Sequence, residues 1–141
     1  MSYKKRLQAR IYAIQMAFVS YISGDGIENI CRKEWLLYQN VDEDTKVFAE
    51  NLFKVTYNHL ETIDDYIKKH LKETWPFQRI GVVEISILRI AIGEFLYFDT
   101  PFYAILNDFV NIASKYTDLQ ATSFINALLD KVKSEVRIVD D

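Results

Sequence analysis

Residues 82–98 constrain this chain more than any other segment. Val82, Val83, Ile85, Ile87, Leu88, Ile90, Ile92, Phe95 and Leu96 leave almost no polar face. A helix apolar nearly all round must be covered on every side by other elements. The β-branched content would also suit strands, but the run is too long for one strand and holds no turn. It also carries Glu84, Arg89 and Glu94, so it is too polar and too short to span a membrane. A central buried helix is therefore expected. Its three charges must pair internally or form a strip facing a partner.

The rest of the chain supplies the covering elements. There are only four Gly and two Pro, too few turn residues for a β-sandwich. Helices with short connections suit this composition. Residues 4–22 predict a first helix, with Leu7, Ile11, Ile14, Phe18 and Ile22 as its buried stripe. Arg6 and Arg10 lie one turn apart beside Ala13 and Ala17, small residues that leave room for a partner or another helix. Gly24-Asp25-Gly26 ends it. Residues 27–38 predict a short second helix, and Asp42 or Asp44 is positioned to cap a third.

Helical spacing then continues to Leu71, with a break expected near His59–Thr62. Trp75-Pro76 reads as a connection, because proline disfavours helix in the residue before it. Thr100 is the expected cap and Pro101 the first residue of the next helix, whose stripe is Ile105, Phe109, Ile112 and Tyr116. The last helix, 119–136, carries Ala121, Phe124, Ile125, Leu128, Leu129 and Val132, and a frayed tail is expected from Ile138 to Asp141.

Several functional classes are excluded. Cys31 stands alone, and His59 and His70 are the only imidazoles, so neither an internal disulfide nor a zinc cluster can form. Gly24, Gly26, Gly81 and Gly93 lack the spacing of a phosphate loop. No Glu-x-x-His pair and no Gly-x-Ser-x-Gly elbow occurs. His59, Glu61, Asp64 and Asp65 read as a solvated helix face. The expectation is a non-enzymatic protein with no cofactor and no metal. No signal peptide is expected, because Arg10 and Gln15 interrupt the apolar run that would follow the basic start. A cytoplasmic location fits.

Charge is unevenly placed. Residues 1–24 hold Lys4, Lys5, Arg6 and Arg10 and no acid, which leaves 13 basic and 20 acidic residues elsewhere, a net of −7. A basic end on an acidic body suits an RNA-contacting arm, though a charged helix start explains it as well.

Four segments, in order, carry a resemblance to a known family. Ala9-Arg10 precedes Gln15-Met16-Ala17-Phe18. Ile87-Leu88-Arg89 is followed by Glu94-Phe95. Pro101 precedes Ala104-Ile105-Leu106-Asn107-Asp108. The last helix holds Phe124-Ile125-Asn126-Ala127-Leu128-Leu129-Asp130-Lys131. Together they resemble the NusB family of bacterial transcription antitermination factors over nearly the whole chain. The resemblance implies an all-α fold of two small packed helical bundles, about seven helices in all. Residues 1–141 would then form a single RNA-binding domain, with helical subdomains of roughly 1–72 and 73–141.

It also implies a function. The chain would bind boxA-type single-stranded RNA of ribosomal RNA transcripts, as a heterodimer with the ribosomal protein NusE. Other Nus factors and RNA polymerase would be engaged indirectly. Carried over residue by residue, Arg6 and Arg10 become the phosphate contacts, with Lys4 and Lys5 adding charge. Gln15 follows on the same helix. Phe124 either stacks on a base or packs in the core. Phe18 and Glu84 match positions facing NusE, with Phe18 lacking the usual tyrosine hydroxyl. Arg89 and Asn107 read as structural, and Asn126 follows the motif.

The chain departs from the family at Leu7 and Gln8, where others are basic, and at Ile11, which replaces a glutamate. Ala127 replaces a glycine, and Gly93 replaces a bulky aromatic. Fewer cations mean a smaller electrostatic contribution to RNA affinity. The alternative is a NusB-fold protein-interaction module with little RNA affinity. The residues do not decide between a monomer and a homodimer.

Overall fold

A computed structural model describes residues 1–73 and 75–140, with side chains described up to Val136. The chain folds as α1 (Tyr3–Ser23), α2 (Ile27–Leu37), α3 (Glu43–Asn58), α4 (Leu60–Lys69), a single 3-10 turn (Phe77–Arg79), α5 (Val82–Tyr97), α6 (Phe102–Tyr116) and α7 (Leu119–Asp140). Among the described residues there is no strand, and no helix is long and apolar enough to cross a membrane. The tail expected to fray from Ile138 is helical as far as Asp140, and Asp141 lies outside the described residues.

The apolar run lies where its pattern requires. Every residue of α5 from Ile85 to Phe95 is buried, because α1, α3, α4, α6 and α7 all pack on it. One continuous apolar cluster results. It is fed by Leu52 and Phe53 of α3, Ile63 and Ile67 of α4, Ile105, Phe109 and Ile112 of α6, and Ile125, Leu129 and Val132 of α7.

Local signals set the helix ends. Ser2 caps α1, its hydroxyl accepting from the Lys5 backbone N–H at 3.2 Å. Gly24 closes that helix in the left-handed conformation, φ 71°, which a residue with a Cβ enters only with strain. Asp118 caps α7 by accepting from the Ala121 N–H at 2.7 Å. Asp42 precedes α3, but its carboxylate is taken by the Thr45 hydroxyl instead of a backbone N–H. The expected break falls at His59, between α3 and α4.

Two expectations need correction. Pro101 is not the first helical residue but the one before it, with ψ 136°. Its carbonyl accepts the first helical bonds, from Ala104 and Ile105, and Thr100 caps nothing.

The buried face of α1 is also turned from the expected stripe. Ile14 of that stripe is buried as expected, but Ala9, Ala13, Met16 and Ala17 face inward with Arg10, whereas Leu7, Ile11 and Phe18 are half-buried and Ile22 is exposed. Alanines let α1 approach α3 and α5 closely. The larger apolar residues beside them therefore become the walls of surface grooves.

A second close approach occurs where α3 meets α5. Thr56 is fully buried and its side chain occupies the space a Cβ on Gly93 would need. This accounts for glycine at position 93. Gly93→Ala should lower stability by about 1–3 kcal/mol through overpacking. The Thr56 hydroxyl has no hydrogen-bond partner, so adding Thr56→Ala should restore most of that loss. Urea melts of the two single variants and the double variant check this. Additive losses would disprove the contact.

Candidate functional site

The basic end of α1 is arranged differently from an open cationic arm. Arg10 is only 1% exposed. Its Nε and Nη2 donate to both carboxylate oxygens of Glu94, at 2.8 and 2.7 Å, and its Nη1 donates to Asp108 at 2.8 Å. The guanidinium lies over the Phe109 ring, 5.6 Å from its centroid. Burial alone would push its pKa down, but the two carboxylates more than offset this and the net shift is upward. Tyr3 donates to the other Asp108 oxygen at 2.9 Å.

This corrects the assignment of Arg10 as a phosphate contact. Its Nε, Nη1 and Nη2 each already donate to a buried carboxylate and the side chain is closed off from solvent, so RNA has no access to it. The pattern that placed it beside Arg6 could not show that Glu94 lay opposite.

The remaining basic residues keep partial access. Lys4 is exposed and makes no ion pair among the described residues. Lys5 reaches Asp42 at 3.2 Å across solvent. Arg6 is half-buried and lies over the Phe48 ring, 5.3 Å from its centroid, with Nε unpartnered.

The other charges of α5 divide. Arg89 donates to both oxygens of Asp64 at 2.9 Å and lies beside Tyr57, Tyr21 and Phe77. It is therefore structural, as expected, and Asp64 is not part of a freely solvated face. Glu84 is half-buried, with its carboxylate folded over Gly81 in the first turn of α5, where the helix dipole favours it. The three charges do not form one strip.

Two grooves hold the other candidates. The first, about 380 Å³, is walled by α1, α2, α5 and α6. Phe18 and Gln15 both line it, so Gln15 sits with Phe18 and not with the N-terminal cations. The second, about 600 Å³, lies between α7 and the connection from α4 to α5. It contains Phe124 and Glu84. Phe18 and Glu84, expected on one partner face, thus line different grooves.

Phe124 is half-buried, and its ring is tilted at 39° to that of Trp75, 6.5 Å between centroids. Trp75 is half-exposed. Lys72, Arg79 and Lys131 line the same groove, are exposed, and make no ion pair among the described residues. Two aromatic faces with three available cations suit an unpaired nucleotide. Sequence reading singled out Phe124 and missed the other four. Trp75-Pro76 looked like a plain connection, and Lys72, Arg79 and Lys131 lie far apart in sequence. Asn107 and Asn126 are exposed.

Among the described residues no cluster of His, Cys, Asp and Glu could hold a metal ion. Cys31 is buried, which pushes its thiol up to about 11.

Comparison with known proteins agrees with this architecture. The NusB family model matches residues 7–134. The transcription antitermination protein NusB of Nitratiruptor sp. is 35% identical over 132 residues, covering 94% of each chain. That of Thermodesulfovibrio yellowstonii is 31% identical over 142 residues, covering 93% of each.

Among solved structures, NusB from T. maritima superposes with a TM-score of 0.83 at 26% identity, covering 92% of this chain and 91% of that one. A chain from a crystal structure of the antitermination factors NusB and NusE in complex with dsRNA gives a TM-score of 0.84 at 26% identity, covering 95% and 99%. The chain belongs to the NusB family of non-enzymatic transcription antitermination proteins.

Proposed function

We propose that this protein binds boxA-type single-stranded RNA of ribosomal RNA transcripts, together with NusE, and so suppresses premature termination in the cytoplasm. A NusB relative has been solved with NusE and RNA, which supports both partners. Contacts to other Nus factors and RNA polymerase would then be indirect.

The observation that carries the RNA reading is the second groove, where Trp75 and Phe124 face a shared space edged by Lys72, Arg79 and Lys131. Lys4, Lys5 and Arg6 extend the cationic surface at the start of α1. Arg10 takes no part in contact; it anchors that helix to α5 and α6.

The test is a titration of a boxA-like single-stranded RNA, with and without NusE, at two salt concentrations. Phe124→Ala and Trp75→Ala should each weaken binding by about 1–3 kcal/mol. Lys131→Ala should reduce the salt slope by about one. Wild-type affinity in both aromatic variants would remove the groove from the RNA surface.

A second reading, a NusB-fold module acting through protein contacts alone, gains weight from the burial of Arg10, which thins an already short cationic set. NusE binding without RNA binding would decide for it.

A further inference from the structure

The first groove has an unmatched chemistry. Its lining includes no Lys, Arg or His. Two acceptors from different helices line it without donors: Glu34 Oε2 on α2 and Gln15 Oε1 on α1. Glu34 is 4% exposed; its Oε2 is buried with no hydrogen-bond partner, and the residue forms no ion pair among the described residues. An ionisable group buried without a partner is costly. Elsewhere among the described residues the buried charges are paired, as Arg10 with Glu94 and Arg89 with Asp64 show.

The rest of the groove is apolar, with Phe18, Ile87 and Ile112 in its walls. Val19, Leu37 and Tyr116 at its edge are exposed. An exposed apolar rim around an acidic centre that holds no cation fits a protein side chain with an aliphatic stem and a cationic head. It does not fit RNA, because the groove offers no cation to a phosphate and its carboxylate repels one.

We propose that this groove seats a lysine or arginine side chain of NusE, the head closing on Glu34 and Gln15 and the stem lying along Phe18 and Ile87. The proposal rests on the reading of NusE as the partner. It gives Gln15 a role in protein recognition in place of the RNA contact first expected.

The test measures NusE affinity by calorimetry for wild type, Glu34→Gln and Glu34→Leu, with urea melts of each free chain at pH 8. Glu34→Leu should bind NusE at least about tenfold more weakly, while its free chain is at least as stable as wild type. That combination separates recognition from a structural role. Unchanged NusE affinity in Glu34→Leu overturns the proposal while leaving NusE as the partner. Absence of NusE binding by wild type overturns both. If instead wild type dimerises in sedimentation and Glu34→Leu does not, the groove seats a second copy of this chain and the NusE assignment falls.

Discussion

Arg10→Ala is expected to destabilise the protein by about 3–5 kcal/mol at neutral pH. The side chain sits between Glu94, which is fully buried, and Asp108, nearly so. Removing it leaves two buried carboxylates without their cation. Tyr3 still donates to Asp108, but no donor within the described set replaces the two bonds to Glu94.

The loss should shrink when Glu94 is changed together with Arg10 to apolar residues of similar volume, since a well-packed apolar replacement of a buried ion pair costs little. Urea melts of the single and the double variant check this. A loss of under 1 kcal/mol in the single variant would mean the network contributes little. The same variant is a poor probe of RNA binding, since any loss of affinity would follow from loss of the fold.

Glu34 should produce the second large effect, as a dependence of stability on pH. Burial pushes its carboxyl up to about 7, from an ordinary 4.5. The folded chain therefore holds this proton more tightly than the unfolded chain does. Stability from that proton is fully present below about pH 4.5 and is lost as pH rises through 7. The shift corresponds to roughly 3 kcal/mol between those limits.

Nearby Tyr12 and Cys31 are both moved upward by burial, away from this window. Glu34→Gln removes the titration and should flatten the fall relative to wild type. Parallel wild-type and Glu34→Gln profiles from pH 5 to 8 would show that the carboxylate is solvated or paired in solution. The groove proposal would then lose its basis.

The sequence by itself determined the fold class and most of the helix order. Those depend on local properties: the period of apolar residues, the scarcity of Gly and Pro, and breakers such as Gly24 and Pro76. The all-round apolar run from Val82 specified a central helix because no other position could cover it. Linear motifs were also enough to indicate the family, since spacing within a helix is visible along the chain.

Tertiary structure decided which side chains are available. Arg6 and Arg10 look alike in sequence, one turn apart, yet only Arg10 points at Glu94 and Asp108, 84 and 98 positions away. Helix spacing fixes which residues share a face but not which face meets a neighbour. In α1 the alanines took the core because they allow close approach, and this turned Phe18 and Gln15 into groove lining. Trp75, Phe124 and Lys131 likewise meet only because the connection before α5 folds against α7. Burial and long-range pairing, not residue type, separated the structural cations from those left free to bind.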